Sequence, residues 1–160
     1  MHTYVILHNI RSAYNVGSIF RTAESAGVAR IFLTGYTPTP TDRFGRARGD
    51  LAKVALGAER MVSWERHVRL APLLGRLKSE GVALVAVEQA PQAQDYRSFR
   101  VCGPTVFIFG NEVRGLSTSA LALADTVLEI PMRGRKESLN VAVAAGVVLF
   151  SCMERVEGGK

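Results

Sequence analysis

Short runs of β-branched and aromatic residues alternate with helix-like segments along the whole chain, and no other feature narrows the fold as far. Tyr4 to Leu7, Arg30 to Thr34, Ala83 to Val87, Thr105 to Phe109 and Thr126 to Ile130 are mostly apolar on both faces, as parallel strands buried between helices are. Between them Asn15 to Ala26, Asp50 to Leu56, Arg66 to Glu80, Ser117 to Leu123 and Asn140 to Arg155 read as helices. Several open on a polar residue and close at Gly27, Gly57 or Gly81. The expected fold is α/β, a mainly parallel sheet flanked by helices. The 160 residues suit a single domain, 1–160, and a chain of this size buries roughly 70% of its unfolded surface on folding.

Three polar segments interrupt this apolar pattern: Asn9 to Gly27, Phe109 to Ser117, and the turn at Ser138 to Asn140 that opens the apolar run ending at Phe150. Each follows the carboxyl end of an expected strand, where open parallel sheets place their ligands, so the three should converge on one site. The net charge of +6 favours a polyanionic partner, although a solvated basic surface accounts for it equally well. Hydrophobic residues at 48% and charged residues at 21% exclude a disordered chain.

Several chemistries drop out. There is no GxxxxGK[ST], GxGxxG or HExxH. Gly115-Leu116-Ser117-Thr118-Ser119 lacks the second glycine of a nucleophile elbow, and Ser117 reads as a helix cap. His2, His8 and His67 are the only histidines, and His67 falls in the expected Arg66–Glu80 helix, which argues against a Ser-His hydrolase. Cys102 and Cys152 stand apart with no CxxC, so no metal site is expected and reduced thiols are favoured. The apolar run at the N-terminus is too short for a signal peptide, and that from Val141 to Met153 too short for a bilayer. No membrane association and a cytoplasmic location are expected.

In order and spacing the three segments resemble the three motifs of the SpoU (TrmH-like) branch of the SPOUT RNA methyltransferases. Asn15, Gly17, Arg21, Thr22 and Gly27 match the first motif. Gly110, Asn111, Glu112, Gly115 and Leu116 match the second. Ile130, Pro131, Met132, Ser138, Leu139, Asn140 and Val141 match the third, so that the resemblance covers almost the whole chain. It implies transfer of a methyl group from S-adenosylmethionine to a ribose 2′-hydroxyl in RNA. It also implies a deep C-terminal trefoil knot, formed as Met132 to Leu139 threads a loop, and a homodimer with its active site at the subunit interface. Val141, Ala144, Ala145, Val148 and Leu149 would supply apolar area for knot and dimer, or core packing alone.

The resemblance also suggests roles for single residues. Gly110, Ile130 and Leu139 would hold the cofactor through main-chain groups, with Met132 lining the pocket and Val87 and Glu88 as further contacts. Arg21 would meet the phosphate or 2′-hydroxyl of the target nucleotide, unless it forms a surface ion pair with Glu24. Because guanidinium stays charged, orientation suits Arg21 better than proton abstraction. Glu112 would orient Arg21 or Asn15, and Ser138 and Asn140 would cap the last helix and position the ribose. Asn9 and Arg11 are RNA-contact candidates, with a turn as the other use of Asn9. In the Gly35–Gly49 loop Arg43, Arg46 and Arg48 surround Phe44, which suits either RNA stacking or a solvated loop offset by Asp42 and Asp50. Arg133, Arg135 and Lys136 precede Ser138, well placed for a phosphate backbone. Larger relatives carry an RNA-binding domain. Without such an extension, recognition would fall to the catalytic dimer or a helper protein, and a small dimer suits transfer RNA slightly better than ribosomal RNA. The other reading is an RNA-binding or assembly module that keeps the cofactor pocket but turns over little.

Overall fold

The computed structural model describes residues 2–153. Its strands are β1 (Thr3–His8), β2 (Arg30–Thr34), β3 (Ser63–His67), β4 (Ala83–Val87), β5 (Gln94–Asp95), β6 (Thr105–Phe109) and β7 (Thr126–Glu129). They form one sheet in the order β3-β2-β1-β6-β4-β7-β5, parallel at every pairing. The helices are α1 (Ala13–Ala26), α2 (Gly49–Ala55), α3 (Ala58–Met61), α4 (Leu70–Ser79), α5 (Thr118–Leu123) and α6 (Val141–Met153).

The twofold alternation of side chains along each strand divides the core into two layers. Val5, Leu7, Ile31, Leu33, Phe107, Phe109 and Leu128 face α1, α2 and α6, meeting Val16, Ile19 and Phe20 of α1 and Ala145, Val148 and Leu149 of α6. Ile6, Phe32, Leu84, Ala86, Val106 and Ile108 face the other way, onto Leu70, Leu73, Leu74 and Leu77 of α4 and Ala120 of α5. The chain winds outward from β1 to β3, then builds the other half. The sheet therefore reverses where β1 lies beside β6, the type of position at which ligand clefts form.

One expectation needs correction. Arg66 and His67 are not helical: they end β3, and α4 begins only at Leu70. Ser63 to His67 (SWERH) is an edge strand with mostly polar, half-exposed side chains, so it lacks the apolar signature of its buried neighbours. His67 Nε2 lies 2.9 Å from Glu65 Oε2. For α6 the two uses left open by the sequence were a knot-and-dimer surface and core packing. Core packing accounts for most of the stripe, since Val141, Ala145, Val148 and Leu149 are buried, while the exposed apolar side chains of the helix are Val143 (52%) and Phe150 (40%). The expected end of this helix at Arg155 lies outside the described residues. The two cysteines are unpaired, Cys102 exposed and Cys152 buried.

Candidate active site

The loops following β6, β4 and β7 border a cleft that opens to solvent. Val87, Glu88, Gly110, Ile130, Met132 and Leu139 all line it, together with Asn111, Glu112, Ser138 and Ala144. The six residues assigned to the cofactor by sequence thus share one cavity.

Two glycines shape the wall of that cleft. A Cβ on Gly110 would stand 2.6 Å from the carbonyl carbon of Gly115, backbone against backbone. Gly115 itself has φ +64°, and a Cβ there would meet Glu88 Oε2 at 2.0 Å. The Glu88 carboxylate is drawn in this close because it accepts from Leu116 N and Gln89 N, each at 2.9 Å. Glu88 therefore joins the loop after β4 to the loop after β6, and both its oxygens are engaged by backbone.

Glu112 makes the second junction. Its Oε1 accepts from Arg11 N, Ser12 N and the Asn15 side-chain amide, each at 3.1 Å, and Oε2 accepts from Arg11 N at 3.0 Å. Partial burial pushes this carboxyl up, but the backbone N–H groups of Arg11, Glu112 and Ser12 and the Asn15 amide outweigh it and hold the pKa below the ordinary carboxylate value. Ser12 caps α1 through Oγ, which accepts from Asn15 N at 3.2 Å. Asn15 Oδ1 accepts from Asn140 Nδ2 at 3.1 Å, and Asn140 Oδ1 caps α6 by accepting from Ala142 N at 2.8 Å. Glu112, Asn15 and Asn140, one from each motif, form a single hydrogen-bonded chain. Ser138 lines the cleft, but the cap is Asn140 alone.

Arg21 stands apart. It lies six residues beyond Asn15, about 9 Å further along the helix axis. Its side chain is exposed and, among the described residues, pairs with neither Glu24 nor Glu112.

Asn9 takes the turn role. Its φ is +55°, its Oδ1 accepts from Tyr36 N at 3.2 Å, and its Nδ2 donates to His8 Nε2 at 3.3 Å. That leaves the His8 proton on Nδ1, 2.8 Å from Thr34 Oγ1, and burial lowers the His8 pKa in keeping with a neutral ring. Within the Gly35–Gly49 loop Arg46 Nε donates to Asp42 Oδ2 at 2.8 Å and Arg48 Nε to Thr39 O at 3.1 Å, so two of the three arginines are tied internally. The guanidinium groups of Arg43 and Arg46 lie 4.8 and 5.0 Å from the centre of the Phe44 ring. Arg11, Arg133, Arg135 and Lys136 are exposed around the strand-end rim.

Sequence reading missed Asn111 as an organiser, though it lies in the second motif. It is buried, its Nδ2 donates to Asn9 O (2.9 Å) and Tyr36 Oη (3.0 Å), and its Oδ1 accepts from Val113 N and Arg114 N. A polar residue between Gly110 and Glu112 in a tight loop was the available signal.

Comparison with known proteins agrees with this geometry. The model of the SpoU rRNA Methylase family matches residues 2–150. A tRNA (guanosine(18)-2′-O)-methyltransferase of Thermus thermophilus is 34% identical over 159 residues, covering 97% of this chain and 76% of that protein. An AdoMet-bound rRNA methyltransferase from Sinorhizobium meliloti superposes with a TM-score of 0.84 at 30% identity, over 98% of this chain but only 57% of its own. A structure giving insight into the 2-OH methylation of C/U34 on tRNA superposes with a TM-score of 0.83 at 26% identity, covering 99% of this chain and 98% of that one. With its three motifs joined around a strand-end cleft and its family match running nearly end to end, the chain belongs to the SpoU rRNA methylase family.

Proposed function

We propose that this protein transfers the methyl group of S-adenosylmethionine to a ribose 2′-hydroxyl in RNA, with transfer RNA the favoured substrate. The observation that carries this reading is the hydrogen-bonded chain Glu112-Asn15-Asn140 on the rim of the cleft that all six cofactor candidates line. The near-complete mutual coverage with the protein of the C/U34 methylation structure supports transfer RNA.

The cleft suits the cofactor because Gly110 and Gly115, which line it, let the loops after β4 and β6 pack closely enough for backbone groups to border the cavity. S-adenosylmethionine, when bound, supplies a methyl group on a cationic sulfonium. Transfer to oxygen consumes that charge, so alignment and exclusion of water contribute more than any new charge would. Val87, Ile130, Met132 and Leu139 give the cleft its apolar part, while Gly110 and its neighbours offer backbone groups. Glu112 is a positioning residue: its oxygens are engaged by Arg11, Ser12 and Asn15, which leaves it poorly suited to take the hydroxyl proton. Asn15 and Asn140, with Ser138 beside them, orient the ribose. Arg21 binds phosphate and hydroxyl as a permanent cation, and the proton passes to another acceptor.

Because Arg21 stands outside the cleft of its own chain, the reading includes a homodimer in which Arg21 serves the cleft of the second copy. The surface fits such a pairing: α6 carries no charged residue from Val141 to Met153, and its Val143 and Phe150 are exposed, with Tyr14 of α1 exposed as well. A C-terminal knot and a cytoplasmic location complete the proposal. No helix among the described residues is long and apolar enough to cross a membrane.

The test is to map 2′-O-methylation across total RNA from cells with and without this gene, then incubate purified protein with the unmodified RNA and S-adenosylmethionine. One site lost and restored in vitro is expected. No lost site, with cofactor still bound, would refute the activity. Arg21→Ala should abolish turnover with cofactor binding and melting temperature unchanged.

A further inference from the structure

We propose that Tyr36 is a stacking platform for a base of the substrate RNA beside the reacting nucleotide. The inference rests on the RNA-methyltransferase reading and names a contact that reading does not contain. Tyr36 follows the carboxyl end of β2, and its hydroxyl accepts from Asn111, which lines the cofactor cleft. It therefore sits at the border between the cleft and the rim that carries Asn9 and Arg11.

The side chain is 58% exposed, yet it is held at both ends. Its backbone N–H donates to Asn9 Oδ1 at 3.2 Å, and its hydroxyl meets Asn111 Nδ2 at 3.0 Å. Gly35, with φ +63°, sets the turn before it, and a Cβ there would lie 1.8 Å from Asn9 Oδ1. An exposed aromatic ring fixed in this way costs little further ordering when a planar ligand settles on it. Among the described residues no aromatic ring or cation stacks on Tyr36, whereas Phe44 on the same loop already carries Arg43 and Arg46. An RNA base offers the flat π-face that such a ring accepts, regardless of sequence.

The decisive comparison separates ring from hydroxyl. Tyr36→Phe keeps the ring and loses the bond to Asn111, while Tyr36→Leu loses both. The probe is bulk transfer RNA from cells lacking this gene, with radiolabelled S-adenosylmethionine. Tyr36→Leu should raise KM for RNA roughly tenfold, in the range found for removal of one base-stacking aromatic. KM for S-adenosylmethionine and kcat should stay as in the parent, and Tyr36→Phe, which keeps the ring but loses one of its two tethers, should raise KM for RNA far less than Tyr36→Leu does. Equal damage from both variants would assign Tyr36 to support of Asn111 and overturn the proposal, as would an unchanged KM for RNA in Tyr36→Leu. Failure of the parent protein to methylate either this transfer RNA or ribosomal RNA from the same cells would instead remove the methyltransferase reading itself, and this inference with it.

Discussion

Substituting Gly115 by alanine tests how the two halves of the cleft are joined. The new Cβ would fall 2.0 Å from Glu88 Oε2, so the carboxylate must leave. It can do so, being the end of a flexible side chain, but only by giving up its bond to Leu116 N. Losing a hydrogen bond to a charged group costs about 1.5–3 kcal/mol, here toward the lower end because Glu88 is half-exposed. Holding alanine at a φ of +64° adds about 1–2 kcal/mol. Together these give about 3 kcal/mol, or a fall of about 6–12 °C in melting temperature for a chain of this length. In a Glu88→Ala background the clash and the lost bond both disappear, and the Gly115→Ala cost should drop to the conformational part, about 1–2 kcal/mol. Thermal and urea melts of the four proteins close the cycle. An equal cost for Gly115→Ala in both backgrounds would refute the argument that Glu88 clamps this loop.

Gly110→Ala should be worse than Gly115→Ala and not be relieved by Glu88→Ala, because its Cβ would meet the backbone of Gly115 rather than a movable side chain; the same melts decide it. Glu112, with its folded pKa depressed, contributes stability that is present above its unfolded-state pKa of about 4.3 and is lost as pH falls through the lower folded value. Glu112→Gln should therefore flatten the acid limb of the stability profile, as read from denaturant midpoints below pH 5. Val143→Arg, at an exposed position on α6, should convert the proposed dimer to monomer in analytical ultracentrifugation and abolish turnover while S-adenosylmethionine binding by calorimetry persists.

The parallel sheet and the cleft were legible because both derive from local pattern. Buried strands such as Thr105 to Phe109 are apolar on both faces, and the glycines and polar residues of the loop at 110–115 follow one of them directly. The edge strand at Ser63 to His67 was not legible, since its half-exposed polar side chains carry no burial signal, and Arg66 and His67 were absorbed into the following helix. The two-residue β5 is too short to leave any pattern. Roles set by long-range partners were equally hidden. Glu88 points to backbone in another loop, and Asn9 is bent into a turn by residues 34–36, neither of which the surrounding sequence announces. Arg21 illustrates the opposite limit, because its motif was visible while its distance from the cleft was not.

The separation along the chain of the groups that meet at the cleft bears on how this protein is made. Glu112 binds the backbone of Arg11 across 101 residues, and Asn140 reaches Asn15 across 125. In the middle of the sheet β1 pairs with β6 from Thr3 and Thr105 onward. A ribosome adding about 5–20 residues per second delivers β1 and α1 several seconds before their partners. During that interval β1, fully apolar at Val5, Ile6 and Leu7, can pair on one edge with β2 while its other edge stays open. Folding dominated by such distant pairings is slow. A chain halted before Asn140 therefore holds all seven strands but lacks the Asn140–Asn15 bond and α6, so the sheet can be complete while the site is not.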